Sequence, residues 1–380
     1  MFESPPFWMY IAGFLLVLGP LVTVHELGHY LVGRWFGVGA DAFSIGFGKE
    51  LYGWTDKRGT RWKVSAIPLG GYVQFRGDMN PASIPEEGGA VSDAAPKDSF
   101  QRASLWKRAL IVFAGPATNL LVAVGIFAAF FAILGKPNVI YAENSTEVGE
   151  FAEVSPAREA GMQVGDRIVR IDGQEIDSFG TLVDSVKLYP GRDIVIGVDR
   201  DGTEIEFPVT IARETEKDRF GNDMTIGRIG VAPASQERPT IEYEEVGVLA
   251  SVGLAVDECI RITRLMITGI KQIIVGDRSF QELGGPIKIA KFSGEQLSLG
   301  PLAFISFAAL ISLNLAFINL LPIPALDGGH LAFYAAEAVR RKPVGPRGQE
   351  WAYRFGIGLV LALMVVVTVN DLVTLPVFGS

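Results

Sequence analysis

Four apolar stretches, each long enough to cross a lipid bilayer, constrain this chain before anything else does. Residues 4–24 carry no charge and Tyr30–Gly33 continue the run, giving a first segment from about Phe7 to Gly33. Ala109–Leu134 is charge-free, a third segment lies within the charge-free run Gln296–Leu326, and a fourth lies near Ala352–Pro376 with Asp371 close to its end. About 20 apolar residues in a helix cover a hydrocarbon core about 30 Å thick. Lipid offers the backbone no hydrogen-bond partner, so each segment is expected as a helix. Composition agrees: 49% hydrophobic against 20% charged residues over 380 positions is too apolar for an ordinary soluble chain. A net charge of −8 gives nucleic acid no basic face. A single cysteine, Cys259, excludes an intramolecular disulfide. The first segment lacks a basic leader and is expected to be retained rather than cleaved.

Lysine and arginine orient the segments. Residues 1–8 have none, whereas 34–108 hold eleven, and Arg340, Arg341, Lys342 and Arg347 sit between the third and fourth segments. Basic connections stay cytoplasmic. Both termini and the long 135–295 region are therefore expected outside, in a multi-pass membrane protein.

Inside the first segment lies His25-Glu26-Leu27-Gly28-His29. Two imidazoles four residues apart project from one helix face. That spacing suits one Zn²⁺, with Glu26 beside it to take a proton from a water the metal activates. Ionisable groups within a membrane are costly and mark function. His25 is 18 residues past Phe7, about 27 Å of helix, which puts the site nearer the cytoplasmic face. The third segment ends in Asn314-Leu315-Ala316-Phe317-Ile318-Asn319 and then Pro322-Ile323-Pro324-Ala325-Leu326-Asp327-Gly328-Gly329-His330. The prolines break the helix. Asp327 then stands at the depth of the two histidines and is favoured as third ligand, with His330 as its competitor. Asn119, Asn314 and Asn319 face the bundle interior, either as interhelical hydrogen bonds or as contacts to substrate or site.

The connecting regions read differently. Residues 37–104 give strand-like runs at 43–48 and 62–67, then Pro68-Leu69-Gly70-Gly71-Tyr72, expected as a membrane-associated β-hairpin followed by a flexible loop at 78–104. Residues 137–233 alternate in hydrophobicity between Asp172-Gly173 and Asp201-Gly202 turns, with a helix at Thr181–Leu188, as a small α+β domain. Within 234–298, residues 241–275 pattern as an amphipathic helix at the outer surface.

Together these residues resemble the site-2 protease family of intramembrane zinc metalloproteases. The resemblance rests on His25 to His29, Ile67-Pro68-Leu69-Gly70-Gly71-Tyr72, Ala114-Gly115-Pro116 with Asn119, and Asn319 through Asp327-Gly328. To these it adds a run from Ser155 to Gly173 that resembles bacterial PDZ domains. It implies a polytopic α-helical membrane protein with four transmembrane helices, a membrane-associated β-hairpin and an inserted extracytoplasmic PDZ-like α+β domain. The parts are expected as 1–36 (first span), 37–104 (hairpin and loop), 105–136 (second span), 137–233 (PDZ-like), 234–298 (outer helix region), 299–330 (third span) and 331–380 (cytoplasmic connection and fourth span). It implies one Zn²⁺ per chain on His25, His29 and Asp327, with Glu26 as catalytic acid and base. The hairpin (Gly70, Gly71), Asn314 and Asn319, with Asn119 as a further candidate, would hold an unwound substrate strand. Implied partners are membrane lipid, transmembrane proteins already cut by another protease (anti-sigma-factor-type or signal-peptide remnants, in a stress response), and a peptide at the PDZ. Two other readings stay open: a membrane-anchored metalloprotease for soluble or misfolded chains, and a catalytically idle PDZ scaffold.

Overall fold

The computed structural model describes residues 5–77, 96–140, 146–217, 223–234, 240–276, 283–342 and 344–374. The expected loop therefore lies mostly outside the described residues. Two compact units emerge: Pro5–Ala129, Leu249–Thr263 and Leu283–Ser380 form one, and Phe130–Val248 with Arg264–Glu282 the other.

In the first unit, α1 (Phe7–Trp35) runs unbroken through Pro20 and ends where Gly37, at φ +83°, takes the left-handed turn that closes a helix. Two long strands follow, β1 (Ala40–Thr55) and β2 (Arg61–Phe75). They form more than a simple hairpin. Residues 42–45 are paired on both edges, with 71–74 on one side and 61–64 on the other. The strands bend back on themselves where Gly46, Gly48 and Gly70 adopt positive φ. Phe43, Val73 and Phe75 bury against Tyr30 of α1 and Ile111 of α2 (Leu105–Leu134), fixing this small sheet to the helices. Gly28 makes the crossing of α1 and α2 close: a Cβ there would lie 2.6 Å from the Ala114 carbonyl oxygen. Small residues bring apolar helices together in this way.

The second unit is β-rich. It begins with β3 (Lys136–Ile140), β4 (Val148–Phe151) and the short α3 (Pro156–Glu159), capped by Ser155. Next come β5 (Arg167–Ile171), β6 (Gln174–Glu175), α4 (Phe179–Lys187), β7 (Asp193–Arg200) and β8 (Thr203–Thr210). The sheet order is β6-β5-β7-β8. Both Asp-Gly pairs form its tight turns, each with two residues at positive φ, as hairpins with matched twist require. Leu182 and Val186 of α4 pack on Ile168, Ile194, Ile196 and Val198. Then β9 (Ala212–Lys217) pairs with β10 (Asp223–Arg228), β11 (Val231–Pro233) with β4, and β12 (Thr240–Glu244) with β3. That last pairing corrects the expected helix at 241–275. Thr240, Ile241 and Tyr243 form a β-prone run with glutamates at 242 and 244, so the first residues are strand. It also carries the unit's pairing to 136 and 244, beyond the expected 137–233.

The helix itself, α5, spans Val248–Val275. It is followed by α6 (Pro286–Ser298), which the sequence reading did not separate from the outer helix region. Gly13 of α1 and Gly294 of α6 have no room for side chains against each other's helix, and so permit close packing. Asp371, fully buried, accepts from the backbone N–H groups of Gly285, Ile287 and Lys288 and so caps α6 from a distant helix.

The expected third span divides into α7 (Pro301–Asn319) and α8 (Asp327–Arg340), and α9 (Pro346–Thr374) completes the unit. Of these helices, α1, α2, α7 and α9 are long and apolar enough to cross a membrane.

Candidate metal centre

The break between α7 and α8 builds the site. Pro322 and Pro324 cannot donate to a helix, and Ala325 adopts φ +97°, a strained conformation for a residue with a side chain. The chain turns back so tightly that a Cβ on Gly329 would lie 2.7 Å from Pro324 Cα, and one on Gly328 would strike Leu320 and Leu321. Asp327-Gly328-Gly329 is thus a carboxylate followed by the two residues that let the new helix start against the old chain.

Asp327 meets the histidines of α1. His25 Nε2 is 3.2 Å from His29 Nε2 and 3.1 Å from Asp327 Oδ2, and His29 Nε2 is 3.6 Å from the same oxygen. His29 Nδ1 lies 2.8 Å from the Ile111 carbonyl oxygen. A carbonyl only accepts, so Nδ1 carries the hydrogen and Nε2 presents a lone pair. His25 Nδ1 faces the fully buried Asn119 side chain at 3.3 Å, with Asn119 Oδ1 buried and unpartnered. A half-turn of that amide gives His25 Nδ1–H an acceptor and leaves its Nε2 free as well. Asp327 Oδ2 is likewise buried without a hydrogen bond. Three acceptor atoms converging with no donor between them repel unless a cation joins them. Ligands about 2.0–2.1 Å from a tetrahedral zinc stand about 3.3 Å apart, close to the triangle seen here. The residues fit the metal.

Around this triangle is a cavity of about 580 Å³ lined by Glu26, Gly71, Tyr72, Val73, Asn119, Leu315, Asn319, His330 and Tyr334, among others. Strand β2 passes directly beside Glu26: a Cβ on Gly71 would lie 3.4 Å from Glu26 Cγ, and the Val73 N–H is within hydrogen-bonding reach of the carboxylate. Of the expected substrate residues, Gly71, Asn119 and Asn319 line the cavity, whereas Gly70 and Asn314 are not among its lining residues. His330, the competing ligand, stands outside the triangle. Its Nδ1 lies 2.7 Å from the Tyr353 hydroxyl of α9.

Sequence reasoning missed two members of the site. Gly115 lies against both histidines, so that a Cβ there would fall on His29 and lie 2.8 Å from His25 Nε2. The only signal was the Ala114-Gly115-Pro116 run, which entered the sequence reading as part of the family resemblance and not as a contact to the histidines. The Ile111 carbonyl had no signal, because a backbone atom leaves none in the sequence.

A paired-histidine helix and a distant carboxylate, gathered among apolar helices, define a zinc metalloprotease of the membrane-embedded type. The chain matches Peptidase family M50 over residues 13–363 and belongs to that family. It is 44% identical to "Putative zinc metalloprotease Atu1380" of Agrobacterium fabrum over 96% of each chain. It is 33% identical to Metalloprotease MmpA of Caulobacter vibrioides over 98% of this chain and 97% of that one.

Proposed function

We propose that this protease cuts a peptide bond within the transmembrane segment of a single-span membrane protein, after another protease has removed the substrate's outer domain. One observation carries the reading. His25, His29 and Glu26 sit on an apolar, membrane-length helix, and with Asp327 from the start of α8 they line a cavity edged by a β-strand. A helical substrate hides its amides and must unwind before cleavage; pairing with the sheet that holds Gly71 would offset that cost.

Held by His25, His29 and Asp327, zinc would polarise the scissile carbonyl and acidify a water. Glu26 is placed to take a proton from the attacking water as its oxygen adds to the carbonyl carbon, and to give that proton to the leaving nitrogen when the C–N bond then breaks. Asn119 holds His25, and the Ile111 carbonyl holds His29, in the tautomer that binds. Asn319 offers its amide to the unwound strand.

The charge pattern supports an inner-membrane orientation with both termini and the β-rich unit outside. We read that unit as PDZ-like. Its groove of about 500 Å³, between α4 and the chain from Ile226 to Ala232, is shaped to take an added peptide strand, or the unit excludes bulky substrates by size.

A Glu26→Gln variant tests the reading. It should keep one zinc per chain, cut nothing, and hold uncut transmembrane substrates that mass spectrometry can identify. If the wild-type enzyme in detergent cuts water-soluble chains as fast as transmembrane peptides, the intramembrane reading fails.

A further inference from the structure

Strands β3 and β12 form a ribbon of their own, joined to no other sheet among the described residues. Chain connectivity places it. Strand β3 opens at Lys136, two residues past the end of the spanning helix α2, and β12 closes at Glu244, four before α5 opens at Val248. A Cβ on Gly135 would lie 2.7 Å from the Glu244 carbonyl oxygen, so the ribbon begins hard against the turn out of α2. In the orientation proposed above, it stands at the outer surface of the membrane.

The register sorts its side chains. Ile241 pairs with Val139 and Tyr243 with Pro137, while Glu242 pairs with Asn138 and Glu244 with Lys136. Alternate pairs point to opposite faces. One face is apolar, with Val139, Ile241 and Tyr243 all exposed, and the other carries Glu242 and Glu244. The edges differ as well. Both residues of a hydrogen-bonded antiparallel pair donate, and Pro137 has no N–H. Pro137 and Tyr243 are therefore a non-hydrogen-bonded pair, and so are Val139 and Ile241 two residues along, with no shift of register between them. The N–H groups of Ile241 and Tyr243 thus point out of the ribbon along the β12 edge. The β3 edge offers only Val139 there, because Pro137 blunts it. A two-stranded ribbon is marginal in water and gains from a third strand.

We propose that the β12 edge takes the outer stub of the trimmed substrate as an added, extended strand. The inference rests on the proposed cleavage of a transmembrane segment whose outer domain is already gone, since such a substrate keeps only a short segment at this level. Main-chain hydrogen bonds to Ile241 and Tyr243 supply the affinity. An added strand continues the pleat, so its side chains beside Ile241 and Tyr243 join the apolar face and those beside Glu242 and Glu244 join the acidic one. The favoured stub alternates apolar with basic residues, and an acidic stub is repelled.

The test uses the purified, zinc-loaded full-length enzyme in lipid nanodiscs with three transmembrane peptides that differ only outside the membrane. One has no outer stub, one a stub of alternating Val and Lys, and one a stub of alternating Val and Glu. The wild type should cut the Val-Lys peptide with a kcat/KM roughly 10-fold above the stubless one, and gain nothing from the Val-Glu stub. Ile241→Pro removes an outward N–H on the β12 edge and should lose most of that gain. Val139→Pro makes the same change at the facing residue, on the β3 edge, and should keep it. A photoreactive phenylalanine in place of Tyr243, in Glu26→Gln enzyme, should crosslink to the Val-Lys stub.

No stub preference in the wild type, or an equal gain from both stubs, overturns the proposal. So does loss of the preference in both proline variants, which would make the ribbon a spacer. Survival in both overturns it too, placing stub recognition elsewhere, such as the groove beside α4. Crosslinking to lipid alone would make the apolar face a membrane contact and has the same consequence. A wild type that cuts none of the three peptides refutes the proposed intramembrane cleavage itself, and this inference with it.

Discussion

Substituting alanine for Gly115 adds one methyl group at the point where two zinc-binding nitrogens meet. The new Cβ would lie on the His29 ring and 2.8 Å from His25 Nε2. Restoring ordinary contact of about 3.4 Å at His25 alone needs a movement of about 0.6 Å, roughly three times the ±0.2 Å that a metal–ligand distance tolerates. His29 must move further still. Loss of a ligand's supporting partner already costs 10–100-fold in metal affinity. Displacing two ligands should cost at least about 100-fold, near 2.7 kcal/mol. Folding should survive, because alanine favours a helix over glycine by about 1 kcal/mol. Gly125, on the same helix with nothing within 4 Å of its Cβ position, supplies the control. Gly125→Ala should keep zinc and gain slightly in thermal stability. The assay is zinc stoichiometry by elemental analysis with chelator competition on the purified proteins. A Gly115→Ala protein that holds zinc with wild-type affinity would refute the geometry from which the centre was built.

Other predictions follow from the same structure. Asn119→Leu should lower zinc affinity 10–100-fold by freeing the His25 ring, and Asn119→Asp, which keeps an acceptor, should recover most of it; competition with a chelator reads both. Ala325→Gly should relieve a strain of roughly 1–3 kcal/mol, partly offset by the freer unfolded chain, so the melting temperature should hold or rise while Asp327 loses some of its fixed position. Burial alone would raise the Asp166 carboxyl, but the two hydrogen bonds from Arg200, one from the Gln163 N–H, and the Arg200 charge hold it below its ordinary value. A depressed carboxylate stabilises above its unfolded pKa near 3.9 and loses that contribution as pH falls through the folded value. Hydrogen exchange across residues 146–217 should therefore accelerate on acidification below about pH 4, and Asp166→Asn should flatten that response.

How much of this was legible depends on the range of the contact. The spanning helices α1, α2, α7 and α9 announce themselves by uninterrupted apolar length, and the Asp-Gly turns by residues that tolerate positive φ. Both are local signals. The small sheet was harder. Its strands appeared as short runs because each bends at a glycine, and nothing local says that 42–45 pairs on both edges. The β12 strand was swept into a helix because its partner, β3, lies a hundred residues away. Helix α6 is short and mixed in character; what holds it is Asp371, whose place near the end of a hydrophobic span looked incidental until its three backbone donors were seen.

The site divides along the same line. Residues that do chemistry are chemically conspicuous: two histidines at helical spacing and a carboxylate after a proline break. Those that make the chemistry possible are not. Gly115 contributes by having no side chain, Ile111 by a carbonyl any residue would supply, and Asn119 by an amide that a bundle might hold for packing alone. His330 shows why geometry must follow chemistry. As a residue type it competes with Asp327 for the metal, and three residues of helix separate the two. The choice turns on what each side chain meets. Asp327 Oδ2 faces two lone pairs and has no donor, which calls for a cation. His330 stands outside the triangle against the Tyr353 hydroxyl, 2.7 Å from Nδ1 and 3.4 Å from Nε2, so its ring is engaged by α9 and the carboxylate, not the imidazole, makes the third corner.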